Sequence, residues 1–405
     1  MRPLRSVVPA FLLAASVGQI YAFTNFASQI AEHIGKSQGA VQFAFSLGIF
    51  FLGMGAAFFG RIVEKNIKLA TIVGTTLFLS GMCVTAFGIT HMSLPLVYLG
   101  YGVLVGLGTG IIYISPVKTM MLWYPENKAI AAAFPIISFG LGSTFSTLLF
   151  KGFSIGGFAG LPAIHLKGFE TFGICKVFLV FAAFYAVPMA IGAILLKKPR
   201  IQQTQSTGNL AGQGFTYRAL ARNGFFWRSW LFMFLNISCG LCLIPLAKQM
   251  MDSPKVGYPA WLVTTIVALC GLFNGGGRFV FALWSDRMKR RIAILSRILM
   301  ISAAVMVFSI WPPLIGVALL TINACYGAGF SVIPAILSDH FGMSDISKIH
   351  GAVLSAWGFA GLAGNQAALA VSERMGLGYH GVVAMLIILY LANLANATAM
   401  SKRQG

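Results

Sequence analysis

The sequence predicts an all-α polytopic membrane protein with twelve transmembrane helices in two pseudo-symmetric six-helix halves. Hydrophobic residues make up 58% of the 405 residues and charged residues only 9%, whereas a soluble domain has about 25% charged residues. Apolar runs near the ~20 residues that a bilayer requires recur along the whole chain. Two short motifs also return at a nearly constant offset, which indicates an internal duplication.

Polar residues, glycines and prolines divide the chain into twelve candidate spans. The spans run over 7–31, 38–60, 69–90, 95–122, 128–150, 172–196, 227–250, 260–284, 292–311, 313–337, 351–372 and 379–400. The first span follows a basic start, as in a signal peptide, but its apolar run continues unbroken past Ala22 to about Ile30. We therefore expect a retained first helix.

The basic residues predict how the chain is oriented. With a cytoplasmic N-terminus, most lysines and arginines fall in inside segments, and the outside ends hold only a few: Lys36, Lys151, Lys167, Lys176, Lys248, Lys255 and Arg374. Both termini are therefore expected on the cytoplasmic side of the inner or plasma membrane. The net charge of +20 arises from these short clusters between apolar runs, so nucleic-acid binding is not expected.

The longest polar stretch, Lys197 to Asn223, follows the sixth span and predicts a cytoplasmic linker. On this division, residues 1–196 form an N-terminal six-helix half, residues 197–225 the linker, and residues 226–405 a C-terminal six-helix half. Sequence pairs recur between the halves about 220 positions apart, which supports a duplication. They are Glu64-Lys65 with Asp286-Arg287, after the second and eighth spans, and Phe139-Gly140 with Trp357-Gly358, in the fifth and eleventh.

Arg278 lies in the middle of an apolar run, 259–284, that contains no acidic residue. An arginine at that depth costs about 2.5–3.5 kcal/mol on insertion scales, so such residues normally face a wet cavity and serve function. Asn274 is four residues earlier and shares the same helix face, with three glycines between them. Together they predict a site for a carboxylate. The alternative is an arginine bonded only to main-chain carbonyls.

Further candidates for the site lie inside other spans. Lys118 is close enough to the end of the fourth span for snorkelling to explain it as well as substrate binding does. Five aromatic residues lie near the middles of their spans and either pack helices or wall a small cavity around the arginine. They are Tyr21, Tyr113, Phe139, Tyr326 and Trp357.

Several kinds of site are not expected. The acidic residues and the histidines all fall at or outside the predicted span ends, so a carboxylate proton relay through the core is not predicted. No nucleophile–base pair, metal cluster or nucleotide loop appears with usable spacing. We therefore expect no enzymatic activity, no cofactor and no metal.

The chain resembles the major facilitator superfamily in its twelve spans, central linker and the two loop motifs. More narrowly, it resembles the oxalate/formate antiporter family, which is related to the monocarboxylate transporters. The motifs that support this are Leu122-Trp123-Tyr124-Pro125-Glu126-Asn127-Lys128, Ser138-Phe139-Gly140-Leu141-Gly142, Phe226-Trp227 and Asn274-Gly275-Gly276-Gly277-Arg278.

The resemblance implies alternating access to a central site, with the two halves rocking about it. It implies that Arg278 binds a substrate carboxylate and that Tyr21, Tyr113, Phe139 and Tyr326 enclose it. It also implies a conformational latch formed by Glu64, Lys65, Asp286 and Arg287. The first loop motif departs from the family pattern, with Glu64 for aspartate and Asn66-Ile67 where a glycine is expected.

A second departure bears on the substrate. The oxalate exchanger has a lysine in its eleventh helix where this chain has Trp357, and one central cation suits a monoanion. We therefore expect a secondary transporter of small monocarboxylates such as lactate, pyruvate or formate, coupled to a proton and working as a monomer. The alternatives are an exchanger of dicarboxylates or inorganic anions that uses Lys118 as a second cation, and a non-transporting sensor.

Overall fold

A computed structural model describes residues 4–155, 164–199, 215–251, 257–288 and 290–401. The described residues form a bundle of twelve long helices. These are α1 (Leu4–Val17, continued as a 3-10 helix over Gly18–Asn25), α2 (Gln38–Lys65), α3 (Ile67–Thr90), α4 (Leu94–Trp123), α5 (Lys128–Lys151), α6 (Ile174–Leu195), α7 (Gly224–Met251), α8 (Ala260–Met288), α9 (Arg291–Phe308), α10 (Ile315–Phe341), α11 (Ile346–Leu369) and α12 (Gly378–Ser401).

The predicted twelve-helix fold is confirmed, and the predicted spans agree with the helices to within several residues. Within the described ranges, eleven helices are long and apolar enough to cross a membrane. The largest difference at a helix start is in α11, which begins at Ile346 rather than at 351. Helix α8 also runs past its predicted end to Met288. Both extensions carry polar residues that hydropathy alone assigns to loops.

The loops contain some further structure. Strands β1 (Gly152–Ile155) and β2 (Ile164–Lys167) form an antiparallel hairpin between α5 and α6, with Gly152 opposite Lys167. The sequence did not predict this small β element. In the predicted linker, residues 200–214 lie outside the described ranges, and a short helix follows at Tyr217–Ala221. The Tyr217 hydroxyl donates a hydrogen bond to the carbonyl of Ala57 in α2 at 2.8 Å.

The first six and last six helices meet along α2 with α11 and along α5 with α8. Glycines make these contacts close: a Cβ built on Gly351 would lie 2.0 Å from the carbonyl oxygen of Ala56, and one on Gly53 would lie 2.8 Å from the main-chain nitrogen of Gly358. A side chain at either position would push the helices apart. The Gly53–Gly358 contact lies near the middles of α2 and α11, and the Ala56–Gly351 contact lies towards the end of the bundle that carries the loops after α2 and α8. We call that end of the bundle the latch face.

Candidate functional site

Arg278 reaches the interface between the two sets of six helices because α8 packs very closely on α10. A Cβ built on Gly277 would lie 2.2 Å from the carbonyl oxygen of Ala324, and one on Gly327 would lie 2.3 Å from that of Asn274. The Arg278 side chain is only 6% exposed. It crosses to α5, where its Nη1 donates a hydrogen bond to the main-chain carbonyl of Ile136.

The guanidinium of Arg278 is not neutralised by a protein carboxylate within the described ranges. Its Nε is buried and has no hydrogen-bond partner among the described residues. The ring of Phe330 lies 5.7 Å from the Arg278 Cζ, close enough for a cation–π contact. A buried arginine with a carbonyl on one nitrogen and an unused donor remains able to bind an anion.

Aromatic side chains from five helices pack into one cluster near Arg278. We define the aromatic cluster as Tyr21 (α1), Tyr113 (α4), Phe139 (α5), Tyr326 and Phe330 (α10) and Trp357 (α11). The centroid distances are 5.2 Å for Tyr113–Phe139, 5.4 Å for Tyr113–Trp357, 5.6 Å for Tyr21–Phe139, 4.7 Å for Phe330–Trp357 and 5.3 Å for Tyr326–Phe330. The five aromatic residues predicted from the sequence therefore come together.

Two polar atoms of the aromatic cluster are left unused. The Tyr113 hydroxyl and the Trp357 Nε1 are buried and have no hydrogen-bond partner among the described residues. A buried donor without a partner costs about 1–3 kcal/mol, so native proteins rarely keep one without a reason. Together with the Nε of Arg278, these atoms make three unsatisfied donors beside one buried positive charge among the described residues. That combination fits a small anion with oxygen acceptors.

Asn274 has a less defined place. Its main-chain oxygen faces Gly327 of α10, and its side chain is half-buried. That side chain makes no hydrogen bond to another described residue, so the structure leaves its amide available. Its role as a second substrate ligand stays a prediction.

Lys118 is engaged in an ion pair that sequence reasoning did not anticipate. Its ammonium contacts the carboxylate of Glu64, and the two side chains are 5% and 10% exposed. Both explanations considered from the sequence, snorkelling and substrate binding, left out this partner, which comes from the end of α2. In this conformation the charge of Lys118 is neutralised within the first six helices.

The latch face is held by carboxylates that cap helices of the opposite half of the chain. Asp286 of α8 accepts hydrogen bonds from the N–H groups of Ala129 and Ile130 at the start of α5, at 3.1 and 2.8 Å. Glu64 of α2 accepts one from the N–H of Ser347 at the start of α11. Carboxylates at helix N-termini satisfy free N–H groups and complement the helix dipole.

Comparison with known proteins assigns the chain to a family. A family model described as Major Facilitator Superfamily matches residues 9–365. The chain belongs to the Major Facilitator Superfamily. This superfamily consists of membrane transporters rather than enzymes, so the protein is an integral membrane transporter.

The relatives of this superfamily member are distant. It is 24% identical over 363 residues to the uncharacterized MFS-type transporter YhjX of Escherichia coli (strain K12). That alignment covers 88% of this chain and 85% of YhjX. It is 25% identical over 376 residues to the Oxalate:formate antiporter of Oxalobacter formigenes. That alignment covers 91% of this chain and 85% of the antiporter. A solved structure of a bacterial homologue of the iron transporter ferroportin, in an outward-facing state, matches with a TM-score of 0.75 at 12% identity, covering 99% and 100%. That structural likeness concerns the fold alone.

The remaining residues of the predicted latch have different surroundings in this superfamily member. Lys65 and Arg287 are exposed and form no ion pair among the described residues. Arg291 takes the place expected for Arg287, with its Nη1 2.5 Å from Asp286 and its Nε 2.6 Å from Asp339. The sequence run Arg290-Arg291 gave no means of choosing among the arginines after α8. The latch role of all four predicted residues stays a prediction.

His350 is a residue that sequence reasoning missed. It was expected at the periphery with the other histidines, and for His350 that expectation is wrong. Because α11 begins at Ile346, His350 lies inside the helix, where it is 2% exposed. Its ring centroid is 6.4 Å from that of Tyr113 in the aromatic cluster. Its seven-residue spacing from Trp357, which places both on one helix face, was the available signal.

Proposed function

We propose that this superfamily member transports small monocarboxylates by alternating access, coupled to a proton. The observation that carries the proposal is the buried Arg278, which has no carboxylate partner in the described structure and lies beside unused donors of Tyr113 and Trp357. Arginine binds carboxylates in a planar bidentate manner. The surrounding aromatic rings would contact a small apolar substituent and offer no charge to balance a second carboxylate.

The count of positive charges supports a monoanion. Arg278 is the cation beside the aromatic cluster, and Trp357 occupies the position at which the resemblance places a second cation. Lys118 is neutralised by Glu64. A dianion bound to Arg278 alone would keep one buried negative charge unpaired, which costs several kcal/mol.

Charge neutralisation also explains how substrate binding promotes the conformational change. A bare guanidinium resists transfer into the closed interior, because its hydration is lost without compensation. An Arg278–carboxylate pair, or a substrate that carries its own proton, lowers that cost. Binding therefore shifts the population of the conformations rather than forcing one.

His350 supports proton coupling. Burial without a hydrogen-bond partner disfavours the charged imidazole, and an anion bound nearby would favour it, so proton uptake would follow anion binding. His350 is buried beside Tyr113 and makes no hydrogen bond to another described residue. We infer that it accepts the coupled proton when the anion is bound at Arg278.

We further propose that the latch face is cytoplasmic, in the inner or plasma membrane. It carries the lysine- and arginine-rich segments, as the positive-inside bias requires. The two halves meet at this face through the caps that Asp286 and Glu64 place on α5 and α11. The conformation would then be closed to the cytoplasm and directed outward.

An anion exchanger is the second candidate. The named activity of the Oxalobacter formigenes relative, which is 25% identical over 91% of this chain, favours it. In that case a second carboxylate, rather than a proton, would compensate the charge moved in each cycle. Competition of oxalate with formate for uptake distinguishes the two candidates, because only the exchanger of dicarboxylates should bind oxalate well.

The test is uptake of labelled lactate, pyruvate and formate by the purified protein in liposomes, with and without an inward proton gradient. Gradient-driven accumulation is expected for the wild-type protein. Arg278→Ala should reduce it roughly 100-fold, since a buried charged hydrogen bond is worth about 3 kcal/mol. Arg278→Lys serves as the matched variant that keeps the charge but loses the planar fork. Accumulation that persists in folded Arg278→Ala protein would reject the proposed role.

A further inference from the structure

A cleft of 260 Å³ lies beside the latch face, between the start of α3 and the end of α6. Four lysines line it together with apolar and amide side chains, in the set Lys65, Lys68, Lys197, Lys198, Asn66, Ile67, Ile194 and Leu196. No acidic side chain lines the cleft. We call it the lysine cleft.

The positive charge of the lysine cleft is uncompensated. None of its four lysines forms an ion pair within the described ranges. The neighbouring carboxylate of Glu64 is already occupied by Lys118 and the Ser347 N–H. The Lys198 ammonium donates at 2.9 Å to the main-chain carbonyl of Glu64, a neutral acceptor. Burial lowers the pKa of Lys198, because the ammonium loses hydration without gaining a negative partner.

Two further features of the lysine cleft suit a phosphate group on a lipid. The first residues of α3, Ile67 and Lys68, line the cleft. The Asn66 side chain already accepts from the Leu69 N–H at 3.0 Å, and the dipole of α3 adds to the positive potential that favours an anion. At its edge the side chains of Ile194 and Leu195 are 59% and 48% exposed. These apolar residues lie where an acyl chain would continue from a bound headgroup.

We propose that the lysine cleft binds a phosphate-bearing anion, namely the headgroup of an anionic phospholipid or free phosphate. The bound anion would neutralise the four lysines. It would also hold Lys198 in place, and through its hydrogen bond Lys198 holds the main chain at Glu64. Binding would therefore stabilise the conformation in which Glu64 caps α11.

The site is tested with the full-length protein in detergent, by native mass spectrometry and thermal unfolding. The probes are phosphatidylglycerol, phosphatidylcholine and inorganic phosphate. The cleft variant is Lys68→Gln with Lys197→Gln, two exposed lysines whose side chains make no described hydrogen bond or ion pair. The control is Arg218→Gln with Arg222→Gln, which removes the same charge from exposed positions in and beside the Tyr217–Ala221 helix.

Wild-type and control proteins should retain phosphatidylglycerol in preference to phosphatidylcholine. Each lysine removed from the cleft should weaken that binding roughly fivefold. If inorganic phosphate alone raises the unfolding temperature, and the cleft variant abolishes that rise, the source is free phosphate. Equal retention of phosphatidylglycerol and equal response to phosphate in the cleft variant and the control would overturn the proposal. Single Lys68→Gln protein serves the same comparison if the double variant is unfolded.

Discussion

The Asp286 carboxylate accepts a hydrogen bond from the main-chain N–H of Ile130 at 2.8 Å, across 156 positions of sequence. Its counterpart in the first half is Glu64, which caps α11 at Ser347. The two loop motifs that recur in the sequence thus make equivalent contacts in opposite directions between the halves. If the halves rock apart at the latch face, both contacts break, and we therefore expect the carboxylates to bias the conformational equilibrium.

Loss of the Asp286 charge should open the latch face more often. Asp286→Asn keeps the shape of the side chain and an acceptor oxygen but removes the charge that favours the N-terminus of α5, an effect of up to about 1 kcal/mol and thus up to a fivefold change in population. The measurement is the rate at which a water-soluble maleimide labels Ala133→Cys, a position 1% exposed in a buried cluster that includes Ala282. Glu170→Gln, at an exposed site outside the latch face, is the control. Unchanged labelling would argue against the latch.

The three glycines before Arg278 should respond differently to substitution. A Cβ on Gly277 meets the Ala324 carbonyl, whereas one on Gly275 meets nothing within 4 Å. Gly277→Ala should therefore separate α8 from α10 and destabilise the protein by about 1–3 kcal/mol. Gly275→Ala should be neutral or slightly stabilising, because alanine favours the helix. Thermal unfolding in detergent measures both, and equal effects would contradict the close packing of these helices.

A second cation beside Arg278 should change the substrate. Trp357→Lys adds a positive charge to the aromatic cluster and should make oxalate a competitor of labelled formate in uptake assays. Trp357→Met, which removes the ring without adding charge, is the matched control for the loss of packing. Oxalate should compete at least tenfold better in the Trp357→Lys protein than in the Trp357→Met protein, which corresponds to a gain of about 1.4 kcal/mol in binding free energy. Strong oxalate competition in the wild-type protein would instead favour the dicarboxylate exchanger.

Replacement of His350 should separate proton coupling from substrate binding. His350→Gln keeps hydrogen-bonding capacity but cannot take up a proton. We expect proton-driven accumulation to be lost while exchange of labelled for unlabelled substrate continues, since exchange needs no net proton movement. His91→Gln, at an exposed position just after α3, is the control. Undiminished gradient-driven accumulation would exclude His350 as the proton acceptor.

Some features of the central site were predictable and others were not. Arg278 and its aromatic neighbours were recognised because a charge or a hydroxyl in an apolar span stands out by composition. Phe330 was not singled out, since one phenylalanine among many apolar residues carries no signal in sequence. His350 was placed outside the helix because the start of α11 is polar. A polar helix turn that is buried against another helix has the same hydropathy as a loop, so hydropathy cannot tell the two apart.

The amino-acid sequence was enough to predict the number of spans, their approximate bounds and the presence of one arginine at mid-depth. These follow from local properties, since the thickness of the hydrocarbon core fixes the length of an apolar helix. The packing of the helices was needed to show that Lys118 pairs with Glu64, that Arg291 rather than Arg287 meets Asp286, and that His350 lies beside Tyr113. Such choices depend on which helix faces meet, and glycine contacts between helices distant in sequence set those faces.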